Sequence, residues 1–149
     1  MSRRPTAPAE LPPPGITGLE PHWSRLVRVP ATDGVGRTWH LLDSWVDANG
    51  AARPERPRLT LLCVHGNPSW SFLWRTVMAT APTDVRVVAV DQLNMGFSER
   101  TGRRRTLATR VDDLVQLTDE LGLSGPVVTV AHDWGGPVSL GWALRHRAA

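Results

Sequence analysis

Apolar residues change their spacing partway along this chain. Residues 24–29 alternate polar and apolar, and residues 37–42 follow as a second strand-like stretch. Between them Asp33-Gly34 is a hairpin-type turn dipeptide. A loop then runs through Asn49-Gly50 to Pro57. Beyond it the pattern becomes strand–helix alternation. Leu59–Val64, Val85–Val90 and residues 126–131 are near-continuous apolar runs, as expected for strands buried on both faces. Residues 70–79 predict a helix after the first run. Residues 107–121 carry apolar side chains at 107, 111, 114, 115, 117 and 121, a helical stripe that stops at Gly122. Residues 136–147 predict a helix that opens directly after the third run. The expected fold class is therefore α/β: two antiparallel leading strands, then three parallel strands with crossover helices.

Residues 1–21 lack this periodicity. They are rich in proline (Pro5, Pro8, Pro12, Pro13, Pro14, Pro21) and read as a disordered or extended arm ahead of a domain spanning 22–149, with structure beginning near Trp23. The 149 residues suit one domain, and 41% hydrophobic with 21% charged residues is an ordinary globular balance. Net charge is only +3, yet the sequence pI is about 10.8. All 17 basic residues are arginine, so the high pI reflects residue choice and is weak evidence for nucleic-acid binding. Arg103-Arg104-Arg105 is the one tight basic cluster and reads as a solvated loop. No nucleic-acid or membrane partner is expected: no apolar run approaches the roughly 20 residues of a membrane helix. Arg3 and Arg4 are not followed by the apolar stretch of a secretory signal. The single Cys63 lies inside an apolar run, reads as a core residue, and forms no intrachain disulfide, which makes a cytoplasmic location the default. No spacing of His, Cys and Asp suggests a metal site, and no cofactor is implied.

Chemistry concentrates where the three buried runs end. After the third comes Ala131-His132-Asp133-Trp134-Gly135-Gly136. Small residues around Asp133 permit an abrupt strand-to-helix turn, which lifts one side chain clear of the sheet. That side chain then stands at the carboxyl ends of the strands, where open α/β sheets bind ligands, with a helix N-terminus beneath it to favour negative charge. The plain alternative is an aspartate that only caps the helix. After the first run comes His65-Gly66-Asn67-Pro68, and after the second Asp91-Gln92-Leu93-Asn94-Met95-Gly96-Phe97-Ser98. In the latter, Gly96 and Ser98 are turn residues and Asp91 is expected to tie the loop to backbone N–H groups. His132 reads as structural. Trp134 offers an indole N–H, a donor with no acceptor to repel an anion.

Together HGNPSWSFLWR at 65–75, DQLNMGFSER at 91–100 and AHDWGG at 131–136 resemble the haloalkane dehalogenases of the α/β-hydrolase superfamily, over roughly the stretch from His65 to Trp142. The resemblance implies that Asp133 is the nucleophile of an elbow built with Gly135 and Gly136. It implies that the side chains of Asn67 and Trp134 hold the departing halide, and that their backbone N–H groups form the oxyanion hole. His65, Gly66 and Pro68 belong to the motif without acting as base. The implied partners are a small apolar substrate carrying a leaving group, and water. Relatives that open epoxides tend to carry an aromatic residue at position 67. Epoxide hydrolysis and the β-lactone decarboxylation of bacterial olefin biosynthesis stay open as alternatives, as does a catalytically inactive fragment.

Carboxylate chemistry fits this implication. Asp is ionised at neutral pH and displaces a leaving group without a base. Hydrolysis of the resulting ester then needs a His to activate water and an acid to orient it. In α/β-hydrolases those follow the nucleophile in sequence. Only 16 residues follow Asp133, none acidic, and His146 lies about 20 Å along the expected helix. The chain thus reads as the N-terminal portion of the fold, with general base, acid, cap and C-terminal strands absent, and with a missing C-terminal half or a fused enzyme as its expected complement.

Overall fold

The computed structural model describes residues 6–30 and 34–147. Its strands in chain order are β1 (Thr6–Ala7), β2 (Ser24–Pro30), β3 (Gly36–Asp43), β4 (Leu59–Val64), β5 (Val85–Val90), β6 (Arg100–Thr101) and β7 (Val127–Ala131). Its helices are α1 (Arg75–Thr80), α2 (Leu107–Glu120) and α3 (Gly135–His146), with short 3-10 turns at Pro21–Trp23 and Ser71–Trp74. Five strands form one sheet in the order β2-β3-β5-β4-β7. The β2–β3 and β3–β5 pairs are antiparallel, while β4 runs parallel to both β5 and β7.

Side chains alternate across this sheet because a strand turns successive Cβ atoms to opposite faces. Leu41, Leu62, Val64, Val88 and Val90 face one way and pack with Leu114 and Leu117 of α2 and Val138 and Trp142 of α3. Leu42, Cys63, Val87 and Ala89 face the other way and pack with Trp74 and Met78. Both faces of the central strands are thus covered, which is why those stretches are apolar throughout. Burial pushes the Cys63 thiol up to about 12, so it packs as a small apolar residue and carries no thiolate.

Topology places the site. From β4 the chain crosses to β5 on one side and returns to β7 on the other. The carboxyl end of β4 is therefore a point where successive connections diverge, the location at which open α/β sheets form a crevice.

Several elements differ from expectation. The helix expected over 70–79 begins as the Ser71–Trp74 turn, and Trp70 is extended at φ −150°, ψ 179°. The Ser71 N–H is taken by the Asp91 carboxylate at 2.7 Å, which draws that residue toward β5. Trp70 and Trp74 consequently part company: Trp70 packs against Phe72 and Phe97, whereas Trp74 enters the core. At the other end Pro82 holds Ala81 extended and stops α1. His22 lies in the Pro21–Trp23 turn. Of the hairpin dipeptide, Asp33 lies outside the described residues and Gly34 has φ 74°.

Structure also begins ahead of Trp23. Thr6–Ala7 pairs antiparallel with Arg100–Thr101, Glu10 donates its N–H to Phe97 O, and Leu19 packs on the second core cluster. An extended segment docked by its backbone needs no apolar period of its own. The arginine cluster is not uniformly solvated either. Arg103 and Arg104 are exposed, but Arg105 is buried and ion-paired with Asp113 at 2.8 Å. No helix among the described residues is long and apolar enough to cross a membrane.

Candidate active site

Asp133 sits between β7 and α3 with φ 54°, a left-handed backbone that non-glycine residues seldom adopt. The neighbours explain how it is held. His132 donates its N–H to Val64 O (3.2 Å), Gly135 to His132 O (3.0 Å) and Gly136 to Asp133 O (2.9 Å). Gly135 lies so close to β4 that a Cβ there would collide with the carbonyl oxygen of Val64. Gly66 faces the nucleophile candidate itself: a Cβ there would collide with the Asp133 side chain. The two loops are thus nested, and glycine at each is the condition for their approach.

Oδ2 of Asp133 accepts two backbone hydrogen bonds, from Trp134 N–H at 2.6 Å and from Asn67 N–H at 3.2 Å. Oδ1 accepts none among the described residues. These N–H groups, Trp134 first and Asn67 second, hold the Asp133 carboxyl below the ordinary carboxylate range, with the neighbouring His132 adding to them. The side chains of Asn67 and Trp134 are exposed, and so is the His132 ring. His132 thus contributes to the turn through its backbone.

A buried polar layer lies behind this surface. His65 is fully buried. The Gln92 backbone N–H donates to its Nε2 at 3.0 Å, so Nε2 is an acceptor and the proton resides on Nδ1, which donates to Gly66 O at 2.7 Å. Burial pushes the His65 pKa down, and the ring stays neutral. Asp91 accepts N–H bonds from Ser71 and Phe97, each 2.7 Å, and pairs with His40 Nδ1 at 2.8 Å. Burial alone would raise its pKa, but the His40 hydrogen bond and those N–H groups outweigh this and hold it low. Gly96 has φ 50°, and a Cβ there would strike the Asp91 carboxylate; Ser98 Oγ donates to Asp91 O at 2.6 Å. His40 belongs to β3, one of the two leading strands, and that strand delivers it to this layer. Its one sequence signal is a histidine set among the buried residues 39–42. Sequence reasoning also passed over Gln92, a polar residue directly after a buried strand.

The structure therefore brings Asp133, Asn67, Trp134, Gly66 and Gly135 together, with His65 and Pro68 in the same β4 loop and Gly136 in the same turn. Asp91, Gly96 and Ser98 form the adjoining loop. His146 closes α3, where its ring stacks on Trp142 and Nδ1 bonds Trp142 O at 3.0 Å. Among the described residues no imidazole paired to an acid contacts Asp133.

A family model described as the alpha/beta hydrolase fold matches residues 60–148. The chain belongs to this family. Its sequence is similar to those of haloalkane dehalogenases and of oxetan-2-one decarboxylases. It is 40% identical over 91 residues to a haloalkane dehalogenase of Sphingobium indicum, covering 58% of this chain and 31% of that protein. It is 38% identical over 96 residues to a cis-3-alkyl-4-alkyloxetan-2-one decarboxylase of Xanthomonas campestris, covering 59% and 32%. The crystal structure of a haloalkane dehalogenase from Agrobacterium tumefaciens superposes with a TM-score of 0.64 at 25% identity, covering 83% of this chain and 38% of that one. The hydrolase chain spans about a third of the length of the curated relatives it matches.

Proposed function

We propose that Asp133 is the nucleophile of a haloalkane-dehalogenase-like hydrolase, and that the 149-residue chain carries out the first of its two chemical steps. The observation behind this is the unequal use of the two carboxylate oxygens. Oδ2 is fixed by the N–H groups of Trp134 and Asn67, while Oδ1 is uncommitted at an exposed position above the sheet. Attack by Oδ1 on a carbon bearing a halide forms a C–O bond. The C–X bond breaks with its electron pair, and halide departs. The Nδ2 of Asn67 and Nε1 of Trp134 are the donors assigned to that anion.

Oδ2 becomes the carbonyl oxygen of the ester. When water adds to that carbonyl, negative charge develops on the atom already facing two N–H donors, and loss of one such donor commonly costs about 10²–10³-fold in rate. Activating the water requires a general base. His65 is locked neutral, His40 is buried against Asp91, His146 is bonded to Trp142 O, His22 sits in the Pro21–Trp23 turn, and the exposed His132 ring has no acid partner among the described residues. The isolated chain should therefore stop at the ester.

A second reading is favoured by the oxetan-2-one decarboxylase relative. The same attack on the saturated, alkyl-bearing ring carbon breaks its bond to the ring oxygen, opens a β-lactone and leaves a carboxylate on the bound molecule. Incubation with 1-bromobutane tests the first reading. One equivalent of bromide per chain, released in a burst and abolished by Asp133→Ala, is expected. Sustained turnover or no bromide overturns it. An oxetan-2-one that reacts where the bromoalkane does not would favour the second.

A further inference from the structure

Behind the Asn67 N–H lies a chain of contacts that reaches helix α2. The peptide unit donating to Asp133 is Gly66–Asn67: its N–H meets Oδ2, and its carbonyl, Gly66 O, accepts the Nδ1–H of His65 at 2.7 Å. The orientation of that N–H is therefore set partly by the His65 ring. Gln92 grips His65 at two points. Its backbone N–H donates to Nε2 at 3.0 Å, and its side-chain Nε2 donates to His65 O at 2.6 Å. The Gln92 amide is oriented in turn by Arg110, whose Nη1 donates to Gln92 Oε1 and to Leu93 O, each at 3.2 Å. His65 is fully buried and Gln92 nearly so. Hydrogen bonds at such depth are costly to leave unmade, and each has one geometry available.

We infer that Gln92, braced by Arg110, is a positioning residue that aims the Asn67 N–H at Asp133 through the neutral Nδ1–H tautomer of His65. Its backbone N–H fixes the tautomer, because a donor opposite Nε2 excludes a proton there. Its side chain fixes the His65 carbonyl, so the ring and the peptide preceding Gly66 move as one unit. Trp134 N–H, the other donor to Oδ2, lies within the β7–α3 turn and is independent of this clamp. The catalytic meaning of the clamp rests on the reading of Asp133 as nucleophile; the clamp itself does not.

Amide hydrogen exchange measured by NMR on the full chain separates the two donors. If the outer edge of β7 associates, parent and variant are compared in a shared Val128→Lys background. Gln92→Met keeps the side-chain volume and removes both side-chain hydrogen bonds. It is expected to accelerate exchange at the Asn67 amide by roughly two- to tenfold, the range of one net hydrogen bond, with little change at the Trp134 amide. Arg110→Met, on a partly exposed helix face, is expected to move Asn67 in the same direction by less, and it decides the matter if Gln92→Met does not fold. An unmoved Asn67 amide, or Asn67 and Trp134 accelerating in step, would overturn the clamp. Bromide release then judges Asp133 separately: selective acceleration at Asn67 in a chain that never releases bromide sinks the nucleophile reading alone.

Discussion

Single residues at the site are constrained by contact as well as by chemistry. Gly135 meets the Val64 carbonyl and Gly66 meets the Asp133 side chain, so one added methyl at either position forces two loops apart. At Gly135 the obstacle is backbone, which cannot swing aside. Gly135→Ala is therefore expected to cost on the order of 3 kcal/mol, measurable as a fall in the denaturation midpoint. Gly136 has open space around its Cβ position, and Gly136→Ala should cost far less. Equal costs would mean that the turn does not approach β4 as described. His65 sets a second residue-scale expectation. Burial holds its folded pKa below the ordinary histidine value of about 6.5, so the unfolded chain takes up the proton first as pH falls. Its contribution is complete above about pH 6.5 and is lost progressively below it. Asp91 and Asp43, both held below 3.8, lose theirs only at more acidic pH. Urea midpoints compared at pH 7.5 and 5.5 should show the first limb, and a flat profile between them would count against a buried neutral His65.

Elements divide into those that local pattern dictates and those that distant contacts decide. The β4 and β5 bounds coincide with their apolar runs, because strands covered on both faces accept little else. Helix α2 begins where its stripe begins, capped by the Thr106 hydroxyl, and its exit is fixed by Gly122 at φ 57°. The 70–79 stretch was less legible. Its opening turn is set by the Ser71 N–H bonding Asp91, 20 residues away, which no local spacing encodes. The same limit hid His40 and Gln92, whose partners, Asp91 and His65, lie in the loops that follow other strands. Arg105 resembled its solvated neighbours until Asp113 on α2 claimed it. Around Asp133 the glycines and the position after a buried strand were visible in sequence. The convergence of two N–H groups on one oxygen was not, since it depends on how β4 and β7 register: Val64 opposite Ala131.

At the scale of the whole molecule, β7 is a parallel strand at the edge of its sheet, and its outer side pairs with no described strand. Its residues are those of an interior strand, with Val128 half exposed and Leu140 and Leu144 of α3 exposed nearby. An apolar edge without charge or proline invites another strand. The isolated 149-residue chain is expected to self-associate at micromolar concentration in sedimentation experiments, and Val128→Lys to shift it toward monomer. A monodisperse, cooperatively melting parent chain would contradict this. The chain covers about a third of its curated relatives, and the proposed reaction divides at the ester. The carboxylate and its two backbone donors are assembled here, and among the described residues no base is in contact with them. That division is tested most directly by peptide mapping after exposure to 1-bromobutane. Tryptic cleavage leaves Asp133 in the peptide 111–145 together with Asp112, Asp113, Asp119 and Glu120, so fragmentation must localise any adduct. The expected result is a single butyl ester on Asp133, persistent over the incubation and absent from Asp133→Ala. A butyl group on another carboxylate, or an unmodified chain, would contradict it.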